Sequence, residues 1–274
     1  MMTPQYRQLS QRVLSALVAI PVVITAIRWS AWSYFSLFLP VVALAMLEFY
    51  QLVNLGGVRP NKLLGVGSGL IAYTLLFLYA SGHLPGNFLY LMGPMVVLIY
   101  LTELYQQGTT PFTNIAYTLL GIVYVGSPFA LLHSIAFVQG TYRYEIVMGI
   151  LLILWANDTG AYLVGSSINK HTLFKRISPH KSWEGVLGGA VFALLVSCIL
   201  AGYYSMIGLG TWISMGSIIV VAGTYGDLVE SMLKRSLKIK DSGNMIPGHG
   251  GLLDRFDSLL LATPCIVAFV KLSC

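Results

Sequence analysis

Residues 184–207 have the sequence EGVLGGAVFALLVSCILAGYYSMI, with one charged side chain, Glu184, at the first position. A helix needs about 20 apolar residues to cross a hydrocarbon core about 30 Å thick, so this run predicts a transmembrane helix. Similar runs predict further spans near residues 12–28, 32–53, 63–81, 87–106, 112–138, 145–166, 211–229 and 256–273. The run at 112–138 contains two glycines and Pro128, so we expect it to be kinked or to form two shorter helices.

The composition supports the same fold class. Hydrophobic residues make up 56% of the 274 residues and charged residues only 9%, whereas about a quarter of the residues in a soluble domain are charged. We therefore predict an all-α, polytopic integral membrane protein with about nine transmembrane helices, folded as a single membrane-embedded domain over residues 1–274. The three cysteines form no CxxC pair, which argues against a disulfide framework or a zinc site.

The basic residues predict the orientation of the chain. If nine spans follow a cytoplasmic N-terminus, thirteen of the sixteen Lys and Arg residues face the cytoplasm, as the positive-inside rule requires. The two basic loops, 167–183 and 234–255, then lie on the same side. Membrane topology thus explains the net charge of +6, and we expect no nucleic-acid partner.

The acidic residues are concentrated in the second half of the chain, where seven of the ten lie between residues 158 and 257. A charge near the bilayer centre costs at least about 2.5 to 3.5 kcal/mol, so such clusters usually serve an ion, a substrate or a proton. We therefore place the catalytic half at about residues 150–274. Helical spacing puts four side chains on one stripe at the cytoplasmic end of the eighth span: Asp227, Glu230, Ser231 and Lys234.

This set suits phosphate chemistry. Mg²⁺ is typically held by one or two carboxylates plus substrate phosphates, and neighbouring cations neutralise the remaining phosphate charge. The candidate cations are Lys234, Arg235, Lys238 and Lys240. An alternative is that these cations only anchor the helix end to anionic lipid headgroups.

Two further segments add polar groups. The run Pro247–Gly251 (PGHGG) permits a tight turn whose amides approach a phosphate, and Asp254 and Asp257 follow on the first turn of the last span. The alternative for these carboxylates is helix capping. Asn157 and Asp158 lie inside the sixth span, where a water-filled substrate cavity or interhelical hydrogen bonds would satisfy them.

Small residues recur on two helix faces, at Gly65, Gly67 and Gly69 and at Gly185, Gly188 and Gly189. Such faces allow close helix packing, which we favour over a direct ligand role. They also favour a homodimer.

The stretch 231–257, SMLKRSLKIKDSGNMIPGHGGLLDRFD, resembles the signature of the phosphatidate cytidylyltransferases, also called CDP-diacylglycerol synthases. The upstream segments WANDTGAY (155–162) and SPHKSWEG (178–185) resemble family segments in the same order. The resemblance implies a Mg²⁺-dependent membrane enzyme that converts CTP and phosphatidic acid into CDP-diacylglycerol and pyrophosphate on the cytoplasmic side. A compact chain of this kind suits the bacterial inner membrane.

With the resemblance, roles can be assigned as hypotheses. The expected catalytic residues are Asp227, Asp254, Lys234 and Arg235, and the expected metal ligands are Asp227, Asp254 and Glu230. The expected substrate-binding residues are Asn157, Asp158, Lys181, Ser182, Ser231, Lys240, Asp241, His249, Gly250 and Arg255.

Two other functions share part of this pattern. A CTP-dependent lipid or polyprenol kinase would use the same nucleotide and metal but would release CDP. A transporter would explain the polar residues inside the sixth span, but it leaves the dense cytoplasmic loop without a purpose. A CDP-alcohol phosphotransferase is set aside because its D-G-x-x-A-R pattern does not occur.

Overall fold

The structure is a computed structural model that describes residues 4–106, 108–168, 170–239, 243 and 250–273, with side chains from residue 17 onward. Three predicted site residues, Lys240, Asp241 and His249, lie outside the described residues. The chain forms two compact units, Met1–Tyr144 with Leu237–Arg255 and Glu145–Ser236 with Phe256–Cys274. Compact units are not by themselves separate domains, so a single membrane domain stays a prediction.

The first unit is built from helices and one short hairpin. Its helices are α1 (Pro4–Trp29), α2 (Ala31–Leu55), α3 (Lys62–Ala80), a 3₁₀ helix (Gly86–Leu91), α4 (Met92–Tyr105), α5 (Pro111–Gly121), a π-helical turn (Ile122–Gly126) and α6 (Ser127–Ala136). The strands β1 (Phe137–Val138) and β2 (Thr141–Tyr142) pair antiparallel. Local sequence fixes two of the helix starts, because the side-chain oxygens of Ser30 and Asn61 accept backbone N–H groups of α2 and α3.

The core of the first unit is aromatic and lies where α3 packs against α2. Tyr50 and Met46 of α2 lie directly against Gly65 and Gly69 of α3, so a Cβ at either glycine would force the facing side chain to move. The predicted close packing is confirmed at these two positions. It is not found at Gly67, where an added Cβ would meet nothing within 4 Å.

The second unit contains the predicted catalytic segments. Its elements are α7 (Tyr144–Ile168), β3 (Thr172–Phe174), β4 (Ser178–Ser182), α8 (Trp183–Tyr203), α9 (Leu209–Ile218), a π-helical turn (Ile219–Gly223), α10 (Thr224–Ser236) and α11 (Leu253–Ser273). The first residue of α7 and the first three residues of α11 belong to the first unit. Helices α7 and α8 approach closely through glycines, since a Cβ at Gly188 would lie 2.8 Å from the carbonyl oxygen of Gly160. The predicted packing role of the α8 glycines is confirmed there.

The membrane-spanning helices agree with the sequence. Within the described residues, eight helices are long and apolar enough to cross a membrane, and a shorter apolar helix covers Leu17–Trp29. Each of the nine predicted spans overlaps one of these helices, so the chain is an all-α, polytopic integral membrane protein. The fifth span is one continuous helical stretch, Pro111–Ala136, with the π-helical turn Ile122–Gly126 between α5 and α6. It does not form two separate helices, and the predicted kink stays a prediction.

Candidate active site

Helix α7 places an amide and a carboxylate side by side. Asn157 is only 5% exposed and packs against α8, where a Cβ at Gly189 would lie 2.7 Å from its Oδ1 atom. The next residue, Asp158, is exposed, and its Oδ1 accepts a 3.5 Å hydrogen bond from Asn157 Nδ2. Asn157 is therefore buried in the contact between α7 and α8, and Asp158 is exposed beside that contact.

The β3–β4 hairpin leads directly into α8. The strands pair antiparallel, with Thr172 opposite Ser182. At the base of the hairpin, His171 Nδ1 lies 2.6 Å from Glu184 Oε1, and the Trp183 N–H donates to the His171 carbonyl at 2.9 Å. These contacts fix the hairpin against the first turn of α8.

Strand β4 ends with two predicted substrate-binding residues. Ser182 is 3% exposed and caps α8, because its Oγ accepts the Gly185 N–H at 3.1 Å. Lys181, one residue earlier, forms an ion pair with the carboxylate of Asp227 on α10. The hairpin and α10 thus meet through opposite charges.

Helix α10 presents the predicted stripe as two side-chain pairs one turn apart. Ser231 Oγ donates to Asp227 Oδ1 at 3.3 Å, and Lys234 Nζ donates to Glu230 Oε2 at 3.0 Å. The two pairs differ in exposure, since the Asp227 side chain is 35% exposed and that of Glu230 is 0% exposed. Of the two carboxylates, Asp227 is therefore the one that solvent or a ligand reaches.

A cavity of about 480 Å³ in the second unit brings five of the predicted residues together. Its lining includes Asn157, Asp158, Lys181, Ser182 and Asp227. Cavities of about 300 to 1,000 Å³ are typical of small-molecule sites.

Other predicted residues of the second unit lie elsewhere. The stripe members Glu230, Ser231 and Lys234 do not line the cavity, and Glu230 and Lys234 are paired with each other. Arg235 donates from Nε to the Ile177 carbonyl at 3.3 Å, at the β3–β4 turn.

Three carboxylates and one ammonium group lie near one another at the cavity. Asp257 lies within electrostatic reach of Asp227 and Asp158 and of the ammonium group of Lys181. Across the described part of the chain, no three His, Cys, Asp or Glu side chains are close enough to hold a metal by themselves. Mg²⁺ needs only one or two carboxylates beside substrate phosphates, so the donor set of Asp227 and Asp158 fits this ion.

Asp254 and its neighbours belong to the first unit. Gly250 has a positive φ of 83°, which glycine adopts readily, and the Gly251 N–H donates to Asp254 Oδ2 at 3.3 Å. Asp254 is half-buried and Arg255 is exposed. The carboxylate of Asp254 therefore accepts a backbone amide of the turn that leads into α11, while its role as a metal ligand stays a prediction.

Comparison with known proteins adds the family. A model described as the cytidylyltransferase family matches residues 10–273. The chain belongs to the cytidylyltransferase family. It is accordingly a nucleotidyltransferase, as the sequence indicated.

Several relatives of this cytidylyltransferase are similar over most of their length. The chain is 34% identical over 281 residues to a phosphatidate cytidylyltransferase of Haemophilus influenzae, with 93% of this chain and 96% of the relative covered. It is 30% identical over 269 residues to one from Staphylococcus aureus and 29% identical over 259 residues to one from Staphylococcus haemolyticus, with the same coverage.

Sequence reasoning missed two residues of this cytidylyltransferase and gave no role to a third. His180 lies in the segment 178–185 singled out above and lines the cavity. Ser258 lines it too, but no spacing rule connects β4 with α11. Glu48 of α2 accepts the N–H groups of Leu252 and Leu253. Its position within an apolar run was a signal, because a carboxylate there needs a partner.

Proposed function

We propose that this chain is a phosphatidate cytidylyltransferase that converts CTP and phosphatidic acid into CDP-diacylglycerol and pyrophosphate. The observation that carries the proposal is the cavity of the second unit, where Lys181 and two carboxylates meet beside apolar helices. A cationic side chain and carboxylates at one cavity suit a phosphate-rich nucleotide and its cation. The names of the relatives supply the lipid substrate.

The reaction is a single in-line displacement at phosphorus. A phosphate oxygen of phosphatidic acid forms a bond to the α-phosphorus of CTP. The bond between that phosphorus and the oxygen bridging to the β-phosphate breaks, and pyrophosphate leaves with the electron pair. A phosphate monoester loses its second proton with a pKa of about 6, so the lipid phosphate attacks as a dianion without a general base.

The protein contributes positioning and charge neutralisation. Lys181 and Ser182 hold phosphate oxygens at the end of β4, and Asn157 orients Asp158 through their shared hydrogen bond. Lys234 and Arg235 neutralise further phosphate charge at the end of α10. Asp227 and Asp158 would hold Mg²⁺, which when bound withdraws charge from the phosphates.

The site faces the cytoplasm of a bacterial inner membrane under this proposal. Thirteen of the sixteen Lys and Arg residues fall on one side if nine spans follow a cytoplasmic N-terminus. The relatives named above are bacterial. CTP is therefore supplied from the same side as the basic loops.

The test is pyrophosphate release by the purified, detergent-solubilised protein given CTP, phosphatidic acid and Mg²⁺, with CDP-diacylglycerol identified by mass spectrometry. Asp227→Asn keeps the shape of the side chain but removes its charge, so we expect kcat to fall by about 100-fold or more. Lys181→Met removes the ion-pair partner, and we expect it to raise the KM for CTP.

Lys175→Met is the matched control, because Lys175 is an exposed lysine in the same hairpin. We expect its kinetics to stay within about twofold of the parent, as for a surface substitution. CDP release without pyrophosphate would identify a kinase instead. No lipid-dependent turnover by a correctly folded preparation would overturn the proposal.

A further inference from the structure

Glu48 is a buried carboxylate within a membrane-spanning helix. It lies on α2 and is 1% exposed. A charge in this position is costly unless hydrogen-bond donors surround it, and such residues are usually retained for a function. Its partners therefore indicate its role.

Two backbone amides that donate to Glu48 lie about two hundred residues away in the sequence. Its Oε2 atom accepts the Leu252 N–H at 2.7 Å and the Leu253 N–H at 3.4 Å. These amides stand at the start of α11, where backbone N–H groups lack partners within the helix and where negative charge is favoured. One carboxylate thus fixes the point at which the signature stretch turns into the last span.

A second contact ties the same carboxylate to the signature stretch. A Cβ at Gly243 would lie 3.2 Å from both Cδ and Oε1 of Glu48, so the backbone passes close to the carboxylate there. Two described parts of the stretch, Gly243 and the run Leu252–Leu253, therefore pass beside Glu48.

The residue after these amides is Asp254, a predicted site residue. Its carboxylate accepts the Gly251 N–H at 3.3 Å. The carboxylates of Glu48 and Asp254 therefore accept hydrogen bonds from three consecutive backbone N–H groups, those of residues 251 to 253. A shift of the Leu252 amide would move the Asp254 side chain with it.

We propose that Glu48 is a positioning residue that fixes the backbone from Gly251 to Leu253 and thereby the placement of Asp254. The proposal rests on the proposed function and on the role in the reaction that the sequence predicts for Asp254. Glu48 lies on a helix in the first fifth of the chain, whereas the signature stretch lies in the second half. The hydrogen bonds of Glu48 therefore connect two segments that are far apart in the sequence.

The test compares Glu48→Gln and Glu48→Ala with Glu103→Gln. Glu103 is a matched control because it is also a buried glutamate in the first unit, 4% exposed, and it accepts a 2.7 Å hydrogen bond from Asn114 Nδ2. Hydrogen–deuterium exchange of peptides covering residues 250–256 is measured beside kcat, the KM for CTP and the thermal midpoint.

We expect Glu48→Ala to accelerate hydrogen–deuterium exchange at residues 251 to 253. We also expect it to lower kcat by about 10- to 100-fold, because displacing a group at the reacting centre by about 1 Å can cost about 100-fold in rate. Glu48→Gln keeps one acceptor oxygen, so it should fall between Glu48→Ala and the parent in both measurements. Glu103→Gln should leave exchange in this peptide unchanged.

Unchanged exchange in a folded Glu48→Ala variant would overturn the proposal. The proposal would also be overturned if kcat fell in proportion to the thermal midpoint, and to the same extent, in the Glu48 and Glu103 variants. Glu48 would then only stabilise the fold. A parent enzyme that fails to release pyrophosphate contradicts the proposed function instead. The exchange measurement still decides in that case whether Glu48 fixes this backbone.

Discussion

Gly226 of α10 lies at a contact where the backbone of α11 leaves no room for a methyl group. A Cβ at this position would lie 2.5 Å from the Asp257 carbonyl oxygen, about 0.9 Å closer than the 3.4 Å at which ordinary contact begins. It would also lie 3.2 Å from Ser258 Cα. Both obstacles are backbone atoms, so Gly226→Ala must move α10 or α11.

The cost of that movement can be estimated. Overpacking a tight contact costs about 1–3 kcal/mol of stability. Asp227 follows Gly226 directly, and the obstructing carbonyl belongs to Asp257, so the shift displaces two of the carboxylates of the cavity region. A displacement of about 1 Å at a reacting centre costs about 100-fold in rate. We therefore expect Gly226→Ala to lower kcat by about 10- to 100-fold.

Gly223→Ala provides the control on the same membrane-spanning segment. A Cβ at Gly223 would lie 3.5 Å from Ser258 Cβ, which is ordinary contact. Both substitutions add one methyl group and remove the same backbone freedom, so the difference between them isolates the steric effect. The assays are thermal unfolding in detergent and pyrophosphate release. Equal stability and equal kcat for the two variants would refute the reasoning.

Two further predictions concern α8. Ser182→Asn and Ser182→Asp both keep an acceptor for the Gly185 N–H, whereas only the aspartate adds negative charge to the cavity. We therefore expect similar thermal midpoints for the two variants but a KM for CTP at least about tenfold higher for the aspartate. Equal KM values would show that Ser182 serves only as a helix cap. Gly188→Ala places a Cβ 2.5 Å from Val164 Cβ, whereas Gly202→Ala on the same helix meets nothing within 4 Å. Thermal unfolding should therefore show a loss of stability of about 1–3 kcal/mol for Gly188→Ala only. Equal thermal midpoints for the two variants would contradict the packing account.

The sequence predicted the membrane-spanning helices well because their signal is local. Length and apolar content are properties of one continuous segment, and all nine predicted spans overlap apolar helices of the structure. The side-chain pairs on α10 were predictable for the same reason, since Asp227 and Ser231 are four residues apart on one helix.

Contacts between distant segments could not be predicted in this way. Nothing in the spacing of Lys181 and Asp227 shows that the β3–β4 hairpin reaches α10. The role of Glu48 was equally hidden, because an isolated carboxylate in an apolar run shows that partners are needed but not which ones. Backbone N–H groups are especially difficult, since every residue except proline carries one.

The polar cavity and the glycine contacts of the second unit have a common physical origin. Polar groups at membrane depth must be satisfied within the protein, so the helices that carry them have to approach closely enough to exclude lipid. Asn157 lies against Gly189, and the backbone at Asp257 lies against Gly226. In both places a glycine stands opposite a residue of the polar cluster. A larger side chain at either glycine would separate the helices at the point where the cavity needs their polar groups together. The glycines at these two contacts therefore allow the helices that carry the polar cluster to approach closely.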